Sequence, residues 1–337
     1  MVHLCGQGIL KMGRGLRYGL LLLLVLAVGG LRMPFEQRLA LELRRENLLP
    51  PRLEIETGEK IGQTFSAVSL GGLRTLVATF FNLRAQIFFE QQQWADVAKT
   101  YDLIVDLAPR TGYYWDTGTW HLAYNAASHY LYESELPPLR RKTLWKNYIM
   151  AGRRFLERGI RNHPDDAQLL ERMGSLMADP NKTRAFGEPA KAFEASFAAY
   201  QAAVATGNAR SYTKRAALYS LVRVPGREEE ALELVKTIRA EQNVSQPSIM
   251  ALHYALEYQR DPAQDVLALV DRVFPDRRGA YQILSRQWMR GQDRFPMHGV
   301  ARAIALLEFE FGVDETKSVL RQPLPLPVDP DDYFRRR

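Results

Sequence analysis

Residues 78–109 read ATFFNLRAQIFFEQQQWADVAKTYDLIVDLAP, and this stretch decides the fold. Its first half carries Phe81, Ala85 and Phe88 at spacings of four and three, the period of one helix face. Val97, Tyr101 and Ile104 repeat that spacing in the second half, and Pro109 closes it. Two such faces are predicted to meet as an antiparallel helical hairpin, with the small Ala85 letting the backbones approach.

The same reading extends outward. From Leu73 to about Leu320 apolar residues recur at helical spacing, and Asp-Pro, His-Pro and Phe-Pro pairs punctuate the run. A second hairpin places Gly152, Leu156 and Gly159 on its second helix. Its first helix is expected near Trp115–Tyr130, with an insertion at 132–141 that contains Pro137-Pro138. A third starts at Ala167, with Leu170, Met173, Gly174 and Met177 facing inward, and continues after a loop at 179–188 into the Ala-rich helix 189–205. Further hairpins are expected at about 209–241 and 246–274. The stretch 279–320 is helical but off the pattern.

A helical hairpin with this order of large, small and aromatic positions, closed by Pro at a period of about 34 residues, resembles the tetratricopeptide repeat. Residues 78–241 carry the resemblance in a divergent form, with Arg84 in place of the usual Leu. The runs Ser69–Arg74, Phe81–Ala85, Leu107–Arg110, Trp120–Asn125 and His163–Asp166 are together similar to membrane-anchored repeat proteins of bacteria. The resemblance implies an all-α, TPR-like helical-hairpin solenoid behind one N-terminal membrane segment, over 73–320. It also implies a partner-binding groove lined by first-helix faces.

The start of the sequence bears on location. Residues 1–17 hold Lys11, Arg14 and Arg17 and no acid, and Tyr18–Leu31 is uncharged. Fourteen helical residues reach ~21 Å, against ~30 Å of hydrocarbon, so Arg17 and Arg32 would snorkel. Residues 18–33 read as an uncleaved signal-anchor or as a cleavable signal peptide, since Ala27, Gly29 and Gly30 are small. The anchor is favoured because charged, helix-like sequence follows directly. The bulk of the chain is then expected outside the cytoplasm, held at the cytoplasmic membrane, or periplasmic if cleaved. Residues 34–72 read as an amphipathic helix and a linker in which Leu53–Thr57 alternates like a short strand. Residues 321–337 read as a Pro-rich basic tail. Its run Pro323–Pro330 must leave helix, and docks on a partner or on the protein's own groove, or ends the chain without order.

Composition sets the outer bounds. The 337 residues are 46% hydrophobic and 25% charged, which excludes a mostly disordered chain. A mean hydropathy of −0.27 excludes a polytopic membrane protein. The single Cys5 excludes a disulfide framework and a Cys-rich zinc module. The net charge of +7 comes from 45 basic and 38 acidic residues, dispersed over helix backs. The runs Arg140-Arg141-Lys142 and Arg153, Arg154, Arg158 and Arg161 therefore read as solvated surface, and no nucleic-acid partner is expected.

No HExxH, GxSxG, Walker A or strand-borne GxGxxG occurs. His121 and His129 stand eight apart, not at the i, i+4 spacing of a metal face. No metal, cofactor or catalytic residue is assigned. Tyr113, Tyr114, Trp115, Trp120, Tyr124 and Tyr130 cluster within eighteen residues, with Asn125 and His129 interleaved. They form a binding surface or fill the gap between hairpins; the second is favoured, because repeat interiors use large residues. Trp115 and Trp120, five apart, cannot share one face, so one is expected to be exposed. On this register Asn82, Gln86 and Glu90 face a groove, where amides would bind a peptide backbone beside Trp115, Trp120, Tyr124 and Asn125. The expected function is a non-catalytic, membrane-tethered scaffold that binds protein or peptide. The alternatives are an all-helical enzyme acting on cell-wall glycan through Glu90, Asp116 or Glu171, and a structural subunit of a membrane assembly.

Overall fold

The computed structural model of the chain describes residues 74–242, 246–292, 294–324 and 332–335, with five helical positions upstream, Leu23, Leu24, Ala27, Pro34 and Arg38. The basic segment 1–17, most of the apolar stretch 18–33, nearly all of 34–72 and most of the run Pro323–Pro330 lie outside the described residues. Among the described residues all regular structure is helical and no strand occurs, so the chain is all-α. No helix among them is long and apolar enough to cross a membrane. The chain divides into two compact units, 1–121 and 122–337.

In the first unit α1 (Arg74–Glu90) packs on α2 (Trp94–Leu107), and α2 on α3 (Gly112–Trp120). Ala78 and Ala85 are the buried residues of α1, and Val97, Tyr101 and Ile104 are buried on α2. Phe81 and Phe88 are half-buried on either side of Ala85. Small residues at the crossing and large ones beside it let the two helices close. The opposite face of α1 leaves Leu76, Phe80, Leu83 and Ile87 exposed, one stripe at i, i+4, i+7 and i+11.

The second unit begins within a π-helical turn, His121–Ala126, followed by another at His129–Glu133. These wider turns carry one extra residue each, and the period of 3.6 does not anticipate them. Helices α4 (Pro138–Asn162), α5 (Ala167–Ala178), α6 (Pro189–Ala205), α7 (Thr213–Leu221) and α8 (Glu228–Gln242) follow. After them come α9 (Pro247–Arg260), α10 (Val266–Val273), α11 (Arg277–Gly291), α12 (Val300–Glu310) and the single turn α13 (Asp332–Arg335). From α4 to α12 each helix packs on the next, and α5 also meets α7, α9 meets α11, and α10 meets α12.

Local chemistry places the helix starts. Pro138, Pro189 and Pro247 occupy first helical positions, where the missing N–H costs nothing. The Asp166 carboxylate accepts from the Gln168 and Leu169 amides, Asp265 from Ala268 and Asp276 from Gly279; each satisfies an orphan donor. Close approaches explain two glycines. A β-carbon on Gly152 would lie 2.6 Å from the Ala123 β-carbon and 2.8 Å from its nitrogen, and one on Gly174 would lie 2.8 Å from the Tyr200 ring. Beside the second contact, the Ser196 hydroxyl donates to the Gly174 carbonyl at 2.6 Å and lies 2.8 Å from the Ser220 hydroxyl, stitching α5, α6 and α7 together.

Three carboxylates of this unit are buried among the described residues, and each is engaged: two fasten their helix to later sequence and the third, Glu257, meets cations of its own helix and the one before. Glu171 on α5 accepts from the Arg210 amide at 2.8 Å and the Thr213 hydroxyl at 2.5 Å, at the start of α7. Glu308 on α12 accepts from the Ser318 hydroxyl at 2.6 Å and the Val319 amide at 2.9 Å. Glu257 on α9 bonds Arg260 and has the Lys236 ammonium at 3.3 Å and His253 Nε2 at 3.6 Å. Arg141 corrects the reading of Arg140-Arg141-Lys142 as solvated surface: it is 2% exposed, while its two neighbours are exposed.

Candidate functional site

The residues nominated from sequence divide between the two units. In the first, Asn82 is half-buried and its side-chain carbonyl accepts from the Tyr101 hydroxyl at 3.1 Å, which ties α1 to α2. Gln86 and Glu90 are exposed one turn apart, and the Gln86 amide donates to the Glu90 carboxylate at 3.1 Å. Trp115 is 2% exposed, with its indole N–H donating to the Pro109 carbonyl at 2.9 Å. Trp120 is 43% exposed. Of the two tryptophans, one is core and the other surface, as their spacing requires. Burial pulls the His121 pKa below its ordinary value, and its ring lies 4.9 Å from Phe89 and 5.3 Å from Tyr101.

In the second unit Tyr124 and Asn125 are half-buried in the first π-helical turn. The Lys182 ammonium stands 4.1 Å from the Tyr124 ring centroid, held from the other side by Asp179 at 2.6 Å. Burial raises the Tyr124 pKa, so the phenol stays protonated at neutral pH. Among the candidate carboxylates, Glu171 has both oxygens engaged, the second facing the Tyr212 hydroxyl at 3.4 Å and the Arg210 guanidinium at 3.5 Å. Among the described residues no group of three or more His, Cys, Asp or Glu is placed to hold a metal ion.

A site that sequence reasoning missed lies a turn further on. Ala127 and Leu131 from the segment that holds the two π-helical turns, Trp145 and Ile149 from α4, and Ala185 from the turn Thr183–Phe186 form one buried apolar cluster, a groove once Phe334 is set aside. Tyr130 and Phe186 pack at its edge. Tyr130 stacks on Tyr148 at 5.4 Å and 15°, and the Arg153 guanidinium lies 5.7 Å from the Phe186 ring. The groove is filled by Phe334 from α13, 6% exposed, with its ring edge-on to Trp145 at 5.8 Å. Arg141 Nη2 donates to the Phe334 carbonyl at 3.0 Å, and its guanidinium lies 5.9 Å from the Phe334 ring centroid.

Here a side-chain contact and a main-chain contact coincide. The groove holds one aromatic side chain in an aromatic-lined slot and one main-chain carbonyl on a buried cation. A buried guanidinium must be hydrogen-bonded to be tolerated, and a carbonyl bonded to a charged donor is a stronger acceptor pair than a neutral one. The sequence signal for it is thin. Arg141, Trp145 and Ile149 share one face of α4 at i, i+4 and i+8, and Phe334 is one of an adjacent aromatic pair, Tyr333-Phe334, after Asp331-Asp332.

Comparison of the chain with family models, with curated proteins and with solved structures finds no match in any of the three.

Proposed function

We propose that the chain is a membrane-tethered helical-repeat scaffold that binds protein or peptide partners without catalysing a reaction. One observation supports this reading: the chain's own α13 packs the Phe334 ring against Ala127, Leu131, Trp145 and Ile149 and sets its carbonyl on Arg141, a side-chain and main-chain contact of the kind a bound peptide would make. Sequential packing of hairpins, with α5 on α7 and α9 on α11, supports a solenoid of TPR-like repeats, in which each hairpin buries its face against its neighbour. The exposed stripe Leu76, Phe80, Leu83 and Ile87 supports a second contact surface on the first unit. The uncharged run Tyr18–Leu31 behind a basic tail supports the tether and an extracytoplasmic address for the remainder.

The test is crosslinking in membranes. A photoreactive residue at position 148, beside the groove, is compared with one at the exposed Lys191 on α6. The full chain is expected in the membrane fraction after an alkaline wash, with a discrete protein adduct from position 148 and none from 191. A chain starting at residue 34 is expected in the soluble fraction. A full chain that washes off contradicts the tether, and equal adducts from both positions contradict the groove.

A further inference from the structure

Helix α1 is amphipathic in an unusual sense: one side is apolar because it packs, and the opposite side is apolar without packing. Ala78 and Ala85, 0% and 1% exposed, fix the first side against α2. Leu76, Phe80, Leu83 and Ile87 lie on the other, 67%, 64%, 65% and 53% exposed. At 3.6 residues per turn the four fall within an arc of about 60°. Turning α1 to hide them would pull Ala78 and Ala85 out of the crossing, so the stripe stays outward in the folded unit.

Size and charge decide what covers it. Side chains exposed to this degree present on the order of 400 Å² of apolar surface, the size of a functional patch. A protein interface that holds by itself takes about 800 Å² on each side, roughly twice what the stripe offers to a second copy. A lipid surface sets no such threshold once something else holds the chain there. From Arg74 to Phe89 the helix carries two arginines and no acid. Arg84 is exposed along one edge of the stripe, its guanidinium 5.4 Å from the Phe88 ring, and Thr79 and Gln86 are exposed along the other. A cation on a long stem at the edge of an apolar face puts its head among phosphates while its methylenes lie on hydrocarbon. Glu90 is the acid of the helix; it stands at the very end and accepts from the Gln86 amide.

The position of the stripe in the chain agrees with this. Of α1–α13, α1 is nearest in sequence to the uncharged run Tyr18–Leu31, with 42 residues between Leu31 and Arg74. Resting on the tether proposed above, we infer that α1 lies in the plane of the membrane that holds the chain. Its stripe sits at the boundary of headgroups and acyl chains, and Arg84 sits on the phosphates. The helix does not span: one side is committed to α2, and no described helix is long and apolar enough to cross. An in-plane helix sinks its apolar face by ~5–10 Å. Attachment through so small a face is reversible by itself, so a chain without the tether still washes off.

The experiment uses the full chain with Cys5→Ser and one new cysteine, from Leu83→Cys or Lys99→Cys, labelled with the environment-sensitive dye NBD. Lys99 is exposed on α2, away from the side of Val97, Tyr101 and Ile104. Each chain is reconstituted in vesicles of phosphatidylcholine with a minority of phosphatidylglycerol, with and without a nitroxide quencher at the top of the acyl chain. The label at 83 is expected to lose emission by about two-fold to the quencher and the label at 99 to lose none. Adding Phe80→Glu to the Leu83→Cys chain is expected to abolish the loss. Ile87→Glu, at the other end of the stripe, is held to the same result in case Phe80→Glu changes the melting. Equal quenching at 83 and 99, or quenching that survives both substitutions, overturns the lipid face. A label at 83 that shifts to the blue without being quenched is covered by a second copy, and overturns it too. The tether is read separately, by an alkaline wash of the same vesicles. Quenching at 83 in a chain that then washes off keeps the lipid face and removes the tether. No quenching in a chain that resists the wash removes the lipid face and leaves the tether.

Discussion

Arg141 and Phe334, 193 residues apart in sequence, meet as donor and acceptor at 3.0 Å, with the cation also 5.9 Å from the ring it holds. The contact joins α4 to the only described residues beyond 324 and buries both side chains. Replacing Arg141 with Met keeps most of the volume and removes the donor, leaving the carbonyl without that partner. The expected loss is ~1–3 kcal/mol in the docking of α13. Amide hydrogen exchange is expected to rise in residues 332–335 while α5–α12 keep their protection. Unchanged exchange in α13 contradicts the role given to Arg141.

Gly152 touches both the side chain and the backbone of Ala123. A Gly152→Ala change is expected to cost ~1–3 kcal/mol by overpacking, although Ala is the better helix former. Ala123→Gly is expected to restore only part of this loss, because the Ala123 nitrogen would still be 2.8 Å from the new carbon. A double-mutant cycle from urea melts checks it; full rescue would place the clash on the methyl group alone.

Glu171 separates a structural from a catalytic reading. Its buried carboxylate receives the Arg210 amide just before α7 and the Thr213 hydroxyl at its start. Glu171→Ala is expected to destabilise the chain by ~2–4 kcal/mol, since buried donors lose their acceptor. Glu171→Gln, which keeps one carbonyl oxygen, is expected to lose less. Thermal melts decide: an acid kept for chemistry rather than packing leaves a variant as stable as the parent, or more so.

His253 makes stability depend on pH. Burial, then the adjacent Arg239 guanidinium, pull its pKa from an ordinary 6.5 down to about 4. Between those values the unfolded chain binds more protons than the folded one, so stability rises with pH. The contribution is fully present above pH ~6.5 and is lost as pH falls toward ~4, a span on the order of 3 kcal/mol. His253→Phe is expected to flatten this part of the profile in urea melts at pH 4.5 and 7. A slope that survives the substitution assigns it to other groups.

The hairpins are legible because their determinants are local. Phe81, Ala85 and Phe88 against Val97, Tyr101 and Ile104 need only the period of a helix. Asp166 and Pro189 mark helix starts by chemistry within a few residues. The candidate site is less legible because its determinants are not local. Periodicity turns Asn82 toward one side of α1, yet it carries no sign that the Tyr101 hydroxyl, nineteen residues on, engages its carbonyl. The π-helical turns over His121–Glu133 shift the faces of Tyr124, Asn125, Ala127 and Leu131 off the 3.6 register. Arg141 looks like surface until a segment 193 residues away covers it. Phe334 has no periodic companions at all, since it sits between a proline run and three arginines.

The groove of Ala127, Leu131, Trp145, Ile149 and Ala185 is proposed as a peptide site. The most direct test maps amide hydrogen exchange of full-length Phe334→Ala with and without excess peptide 325–337. New protection is expected, confined to residues 127–133, 141–149 and 183–186. Protection elsewhere, or none at saturating peptide, contradicts it.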